Sequence, residues 1–120
     1  MKVKTSDLID PALDWAVAKC LQPGYEEWRL IRWIEQEFAP TANWEHGGPI
    51  IERECIGIER HRLDGPCQWA ACDWHSVVVQ GYTCLERSKY IYGPTQLIAA
   101  MRCFVASKLS DEVDVPDELV

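Results

Sequence analysis

The residues best suited to chemistry lie in one run, Pro40-Thr41-Ala42-Asn43-Trp44-Glu45-His46-Gly47-Gly48-Pro49-Ile50-Ile51-Glu52. Trp44 offers a flat face on which a planar group can stack. Thr41 and Asn43 add short polar side chains. Gly47 and Gly48 permit positive φ and let the backbone approach a ligand closely. Pro49 suits the first position of a helix, and a helix N-terminus presents free N–H groups to an anion. A stacking face beside such N–H groups fits a nucleotide-type ligand, with the base on Trp44 and a phosphate on the backbone. Arg53 is near enough in sequence to neutralise phosphate charge. Arg29, Arg32, Arg60, Arg62 and His61 join it if the fold brings them close. The expected ligand-binding set is therefore Thr41, Asn43, Trp44, Gly47, Gly48 and Arg53. The same residues also suit a plain structural loop, with Asn43 capping a turn, the glycines serving a tight bend and Trp44 filling the core.

Other chemistry has no comparable signature. The chain has no Gly-x-Ser-x-Gly elbow, no Walker A or dinucleotide-binding glycine pattern and no His-Glu-x-x-His. Its six cysteines and three histidines form no recognisable catalytic pair. Cys67, Cys72, His75 and Cys84 lack the C-x-x-C knuckle of a zinc site. Cys20 and Cys103, set beside alanines, read as small apolar fillers. The expectation is no catalytic residue, no metal and no cofactor.

Charge and composition narrow the partners. A formal net charge of −7 disfavours a nucleic-acid binder, which needs a basic stripe to displace counterions. It leaves open docking on a basic surface. Six tryptophans in 120 residues is a heavy aromatic load, and Trp is favoured where ligands and partners bind. No apolar run approaches a membrane span, and Met1 to Asp7 has no apolar core, so a cytosolic location is expected. Length and hydrophobic content fit a single domain over residues 1–120, with an acidic C-terminal tail over 110–120 that reads as a solvated terminus.

Hydrophobic periodicity supplies the elements that must position the central run. Asp10 and Pro11 open a helix to about Leu21, with Asp10 as cap and Asp14 favouring the positive end of the dipole. Leu13, Ala16, Val17 and Cys20 share one of its faces. Trp28 to Ile34 reads as a strand by its aromatic and β-branched content; the helical alternative groups Leu30, Trp33, Ile34 and Glu37. Residues 40–48 read as a loop, and Pro49 opens a short helix to about Cys55. A strand over 56–62, a turn at Asp64-Gly65-Pro66 and a returning strand over 68–72 make a hairpin. Further strands are expected over 76–80 and 89–92. Thr95 to Leu109 is the clearest helix, with Leu97, Ile98, Met101, Phe104, Val105 and Leu109 as its apolar stripe. The sum is an α+β fold: a small, mostly antiparallel sheet packed with an N-terminal helix, a C-terminal helix and a short central one.

Three stretches then carry a family resemblance. They are Lys4 to Lys19, Asn43 to Glu54, and Pro94 to Leu109 with Asp111-Glu112-Val113. In order and wording they resemble the NinX-type family of small phage and prophage proteins, over roughly half the chain at its ends and centre. The resemblance implies a phage accessory protein in the cytoplasm of the bacterial host, and it brings no enzymatic activity with it. By analogy of context, such proteins counter host defence. The expectation that follows is a non-enzymatic protein that sequesters a nucleotide-type immune signal, such as a cyclic nucleotide or an ADP-ribose derivative. The alternative is a protein-binding inhibitor of a host defence or regulatory protein, anti-CRISPR-like in action. Because an aromatic-lined pocket is often completed by a second subunit, a homo-oligomer is also expected.

Overall fold

Leu97 to Val105 forms an unbroken buried stretch, and the rest of the chain is arranged to cover it. The computed structural model of the chain describes residues 1–62 and 67–120, so the expected Asp64-Gly65-Pro66 turn lies outside the described residues. Among those residues there are four α-helices: α1 (Asp10–Leu21), α2 (Glu27–Glu35), α3 (Trp44–Arg53) and α4 (Gln96–Lys108). The strands are β1 (Lys2–Lys4), β2 (Ile56–Arg62), β3 (Cys67–Val79), β4 (Tyr82–Arg87), β5 (Ile91–Gly93) and β6 (Glu112–Asp114). The fold is α+β and every strand pair is antiparallel.

Strand β3 is the spine of the larger sheet. Its first half pairs with β2 on one side and β5 on the other, and its second half pairs with β4. The strands expected over 68–72 and 76–80 are thus one strand of 13 residues. Cys72 and His75 flank Asp73 and Trp74 without any Gly or Pro to break it, so nothing local ends the extended run. Beyond Asp73 the β3–β4 hairpin leaves the core as an arm, and every residue of β4 is exposed. The outward half of an arm has no core to alternate against, which is why β4 carried no clear period in sequence.

Helix α2 corrects the strand reading of residues 28–34. At helical spacing Leu30 is buried, with Ile31, Trp33 and Ile34 half-buried beside it, while Trp28, Arg29, Arg32 and Glu35 face water. A strand would have put Arg32 on the same face as Leu30 and Ile34, and the segment's burial demand selects the helix instead. The helix ends where Gln36 N–H bonds to Arg32 and Trp33 carbonyls and Glu37 turns left-handed at φ 77°.

Two terminal expectations also change. Asp10 does not cap α1 through its side chain; it takes φ 52°, and Ile9 is the extended residue before the helix. The acidic tail is docked in part. β6 pairs with β1 in the register Lys2↔Asp114, Val3↔Val113 and Lys4↔Glu112. The pattern Lys-Val-Lys set against Glu-Val-Asp puts opposite charges across from one another on the wet face and valines on the inner one. Val113, Val115 and Pro116 are buried as a result.

The core joins α1, α4 and the inner faces of β2 and β3. Helix α4 lies against β3 and β5, with α1 covering another side. Gly93 is what allows β5 to come so near: a Cβ there would lie 2.7 Å from the Ala99 backbone nitrogen. Gly93→Ala should therefore destabilise the fold by about 1–3 kcal/mol through overpacking. Gly24→Ala, at a position with no heavy atom within 4 Å of the added carbon, should change stability by no more than about 0.5 kcal/mol. Urea midpoints of the two variants make the comparison, and equal losses at both positions would refute it.

Candidate functional site

Helix α3 begins earlier than the sequence suggests, at Trp44. Asn43 is its N-cap: the Asn43 carboxamide oxygen accepts from the Glu45 N–H at 2.9 Å, and its carbonyl accepts from His46 and Gly47 N–H at 3.0 Å each. Gly47 and Gly48 consequently lie inside the helix. Neither has positive φ; Gly81 is the positive-φ glycine among the described residues. The expected anion nest at Gly47-Gly48-Pro49 is therefore absent, because those N–H groups fall within the helical ladder and Pro49 sits mid-helix. Gly47 has a packing role instead. A Cβ there would lie 2.6 Å from the Pro40 carbonyl oxygen and 2.7 Å from Leu97 Cδ2. Its missing side chain brings α3 against the start of α4.

The segment before α3 is pinned from α1. Asp14, buried on α1, accepts from the Thr41 backbone N–H at 3.0 Å. Burial pushes the Asp14 carboxyl above its ordinary value, against the opposing pull of hydrogen bonds from Thr41. His46 adds a second tie by accepting from the Ala39 N–H through Nδ1 at 3.0 Å. These contacts hold Pro40 and Thr41 inward and turn Trp44 outward, where its indole stays 53% exposed.

Trp44 then forms one wall of an open groove of about 670 Å³. Thr41, Ala42, Trp69 and the Pro94–Leu97 entry to α4 complete it. Trp69, half-buried on β3, carries the Arg60 guanidinium over its ring at 5.6 Å from the centroid. Thr95 caps α4 by accepting from the Ile98 N–H at 3.1 Å. The start of α4 thus borders the groove alongside Trp44, the first residue of α3.

Of the six residues expected at the site, Thr41 and Trp44 line this groove. Asn43 caps α3 and lines a smaller hollow with Trp33 and His46. Gly47 and Gly48 serve the helix. Arg53 ends α3, about 14 Å of helix axis from Trp44, and pairs with Glu54 at 3.2 Å. Among the other arginines, Arg60 reaches the groove's aromatic wall, Arg29 lies over Tyr25 at 3.9 Å, and Arg32 and Arg62 are exposed. His61 sits apart, with Nδ1 3.2 Å from the Tyr92 hydroxyl. Trp69 and Pro94-Thr95-Gln96 had no site signal in sequence, because they reach Trp44 only through the pairing of β3 with β5 and the packing of α4. The Cys20 and Cys103 thiols are pushed up to about 12 by burial, as befits apolar fillers.

A family model described as Bacteriophage P22, NinX matches residues 4–108. The chain belongs to the NinX family. The match runs through residues 22–39 and 59–92, outside the three stretches that carry the resemblance, and stops short of β6. No curated protein matches the chain. Two of the stretches that carry the NinX resemblance, Asn43 to Glu54 and Pro94 to Leu109, contribute Trp44 and Pro94 to Leu97 to the lining of the groove.

Asp14 provides a clean test of how the groove is positioned. Asp14→Ala should cost about 1–3 kcal/mol by leaving the Thr41 N–H unpaired, whereas Asp14→Asn keeps an acceptor and should fold as well as the wild type. The folded-state carboxyl is raised, so its stabilising share is full below the ordinary Asp value and lost as pH rises through the folded value. Denaturation midpoints across the mildly acidic range should show that decline in wild type and not in Asp14→Asn. An identical slope in both proteins would exclude it.

Proposed function

We propose that the chain is a non-enzymatic phage accessory protein of the bacterial host cytoplasm that sequesters a nucleotide-type ligand in the Trp44 groove. The single observation that carries this reading is the exposed Trp44 indole, held at the edge of a groove whose other aromatic wall is Trp69 under Arg60. A base stacked on Trp44 gains sequence-tolerant aromatic contact, and a phosphate gains Arg60 and the α4 N-terminus. The groove volume falls within the roughly 300–1,000 Å³ of small-molecule sites. Sequestration calls for binding without turnover, so catalytic groups are not required. The family context favours a counter-defence role, with a cyclic nucleotide or ADP-ribose derivative as the signal.

Thermal-shift screening against nucleoside phosphates, cyclic nucleotides and ADP-ribose should raise Tm with one of these classes. The ligand should be recovered intact after the complex is denatured. Trp44→Ala should weaken binding about 5- to 150-fold, corresponding to about 1–3 kcal/mol of lost stacking. A panel that gives no shift, or affinity unchanged in a folded Trp44→Ala protein, would end this reading.

A second reading, protein contact through self-association, is favoured by the β3–β4 arm. Trp74, Val78, Val79, Tyr82 and Leu85 are all exposed there, and residues 74–85 contain no Asp, Glu, Lys or Arg. Past Trp74, whose N–H donates to the Cys55 carbonyl at 3.1 Å, β3 pairs with no strand on its β2 side among the described residues. An uncharged open edge lacks the features that keep strand edges solitary. Two copies of a chain with net charge −7 can meet at the arm without opposing like charges, which makes a second copy its fitting partner. Sedimentation equilibrium should find a dimer that Val78→Lys dissociates; a wild-type monomer throughout the concentration series would refute this.

A further inference from the structure

Helix α4 carries one charged residue within its buried stretch, Arg102, and it is only 9% exposed. Its Nε donates to the Leu8 carbonyl and its Nη1 to the Tyr92 carbonyl, each at 2.8 Å. A guanidinium has five N–H donors. Nη2 meets no acceptor, and no carboxylate forms an ion pair with Arg102, among the described residues. Burial depresses the Arg102 pKa and Asp7, the charge opposing that shift, remains outside ion-pairing range. A cation largely withdrawn from water with no carboxylate in ion-pairing range is costly, and two carbonyl contacts offset only part of that cost.

The guanidinium lines a cavity of about 610 Å³ between α4, β5 and the Thr5–Asp7 turn. Lys4 and Lys89 stand at its exposed rim, and Ser6 and Gln68 offer neutral hydrogen-bonding groups. Asp111 and Glu112 also line it, with Asp111 3.7 Å from the Lys89 ammonium. Three cationic side chains against two carboxylates leave a positive lining in a chain that is negative as a whole.

We propose that Arg102 forms the floor of a binding site for the oxyanion, phosphate or carboxylate, of a small organic molecule. Free N–H groups of a buried guanidinium are the donors that recognise such groups, and the charge-assisted bonds strengthen away from water. The cavity is larger than an isolated ion needs, so the oxyanion is carried on a body that occupies the space beside Tyr90 and Gln68. This site shares no lining residue with the Trp44 groove. It stands or falls independently of the function proposed there.

The test uses the full chain, titrated with sodium phosphate, sodium acetate and adenosine monophosphate at constant ionic strength, and follows the Arg102 Nε–H resonance by NMR. At least one probe should shift that resonance saturably, where sodium chloride does not. A response to the phosphates alone assigns phosphate, and a response to acetate alone assigns carboxylate. Arg102→Ala risks losing the fold with its carbonyl contacts. Ala106→Leu instead narrows the cavity from α4, and Lys89→Glu reverses a rim charge at an exposed position. Each should weaken binding by about tenfold or more with an unchanged circular dichroism spectrum, and Trp44→Ala should leave it as in wild type. The proposal is overturned if no probe gives a saturable shift, if both cavity variants bind as wild type does, or if Trp44→Ala alone abolishes the response.

Discussion

Burying a helix on all sides is the constraint from which the architecture follows. Helix α4 has Leu97 to Val105 withdrawn from water, so covering one stripe is not enough. Strands β3 and β5 take one side of it, α1 another, and β2 and α3 close further contacts. Small residues make this possible. Ala99, Ala100 and Cys103 are as buried as Met101 and Phe104, and Gly93 lets β5 approach the Ala99 backbone. The polar exception, Arg102, ties α4 to the chain before α1 and to β5 through two carbonyls. A side chain that costs free energy to bury thereby fixes where two other elements lie.

The candidate groove is a by-product of the same packing. Gly47 brings α3 onto Leu97, and Asp14 draws the Thr41 backbone to α1. With Pro40 and Thr41 held in the interior, the first residue of α3 points away from it, and that residue is Trp44. The glycines and proline that looked like a phosphate nest lie inside α3, and Gly47 among them serves helix packing. Their disposition places an exposed indole beside the N-terminus of α4 and across from Trp69. The features that attract an anion are present at this place, but they come from a different helix and from Arg60.

Surface elements answer to weaker rules than the core does. The β1–β6 ribbon is registered by alternating lysines and carboxylates around Val3 and Val113. The β3–β4 arm has no core face, and over residues 74–85 it has no charges to define an outer one. A hairpin of two strands is marginal by itself, and here the arm continues from a strand already anchored on both sides by β2 and β5. Membership of the NinX family spans the arm, the helices and both groove walls, but not β6.

What the residues determined by themselves were the elements whose burial pattern is local. Thr95 and the apolar run after it specify α4, the Pro11 segment specifies α1, and the alternation from Ile56 to Arg62 specifies β2. The absence of a wet face on α4 was less legible, since alanines and a cysteine read equally well as surface or core. Residues 28–34 support two periods, and only the need to bury Leu30 and Trp33 while freeing Arg32 decides for a helix. Trp44 was legible as a candidate stacking residue on a segment leading into a helix, with core filling as the other role its type allows. The rest of its site was not, because Trp69, Arg60 and Thr95 lie far from it along the chain. Strand pairing and the close contact of α3 with α4 bring them together, and such contacts are set by how faces fit in three dimensions, which no short-range spacing encodes.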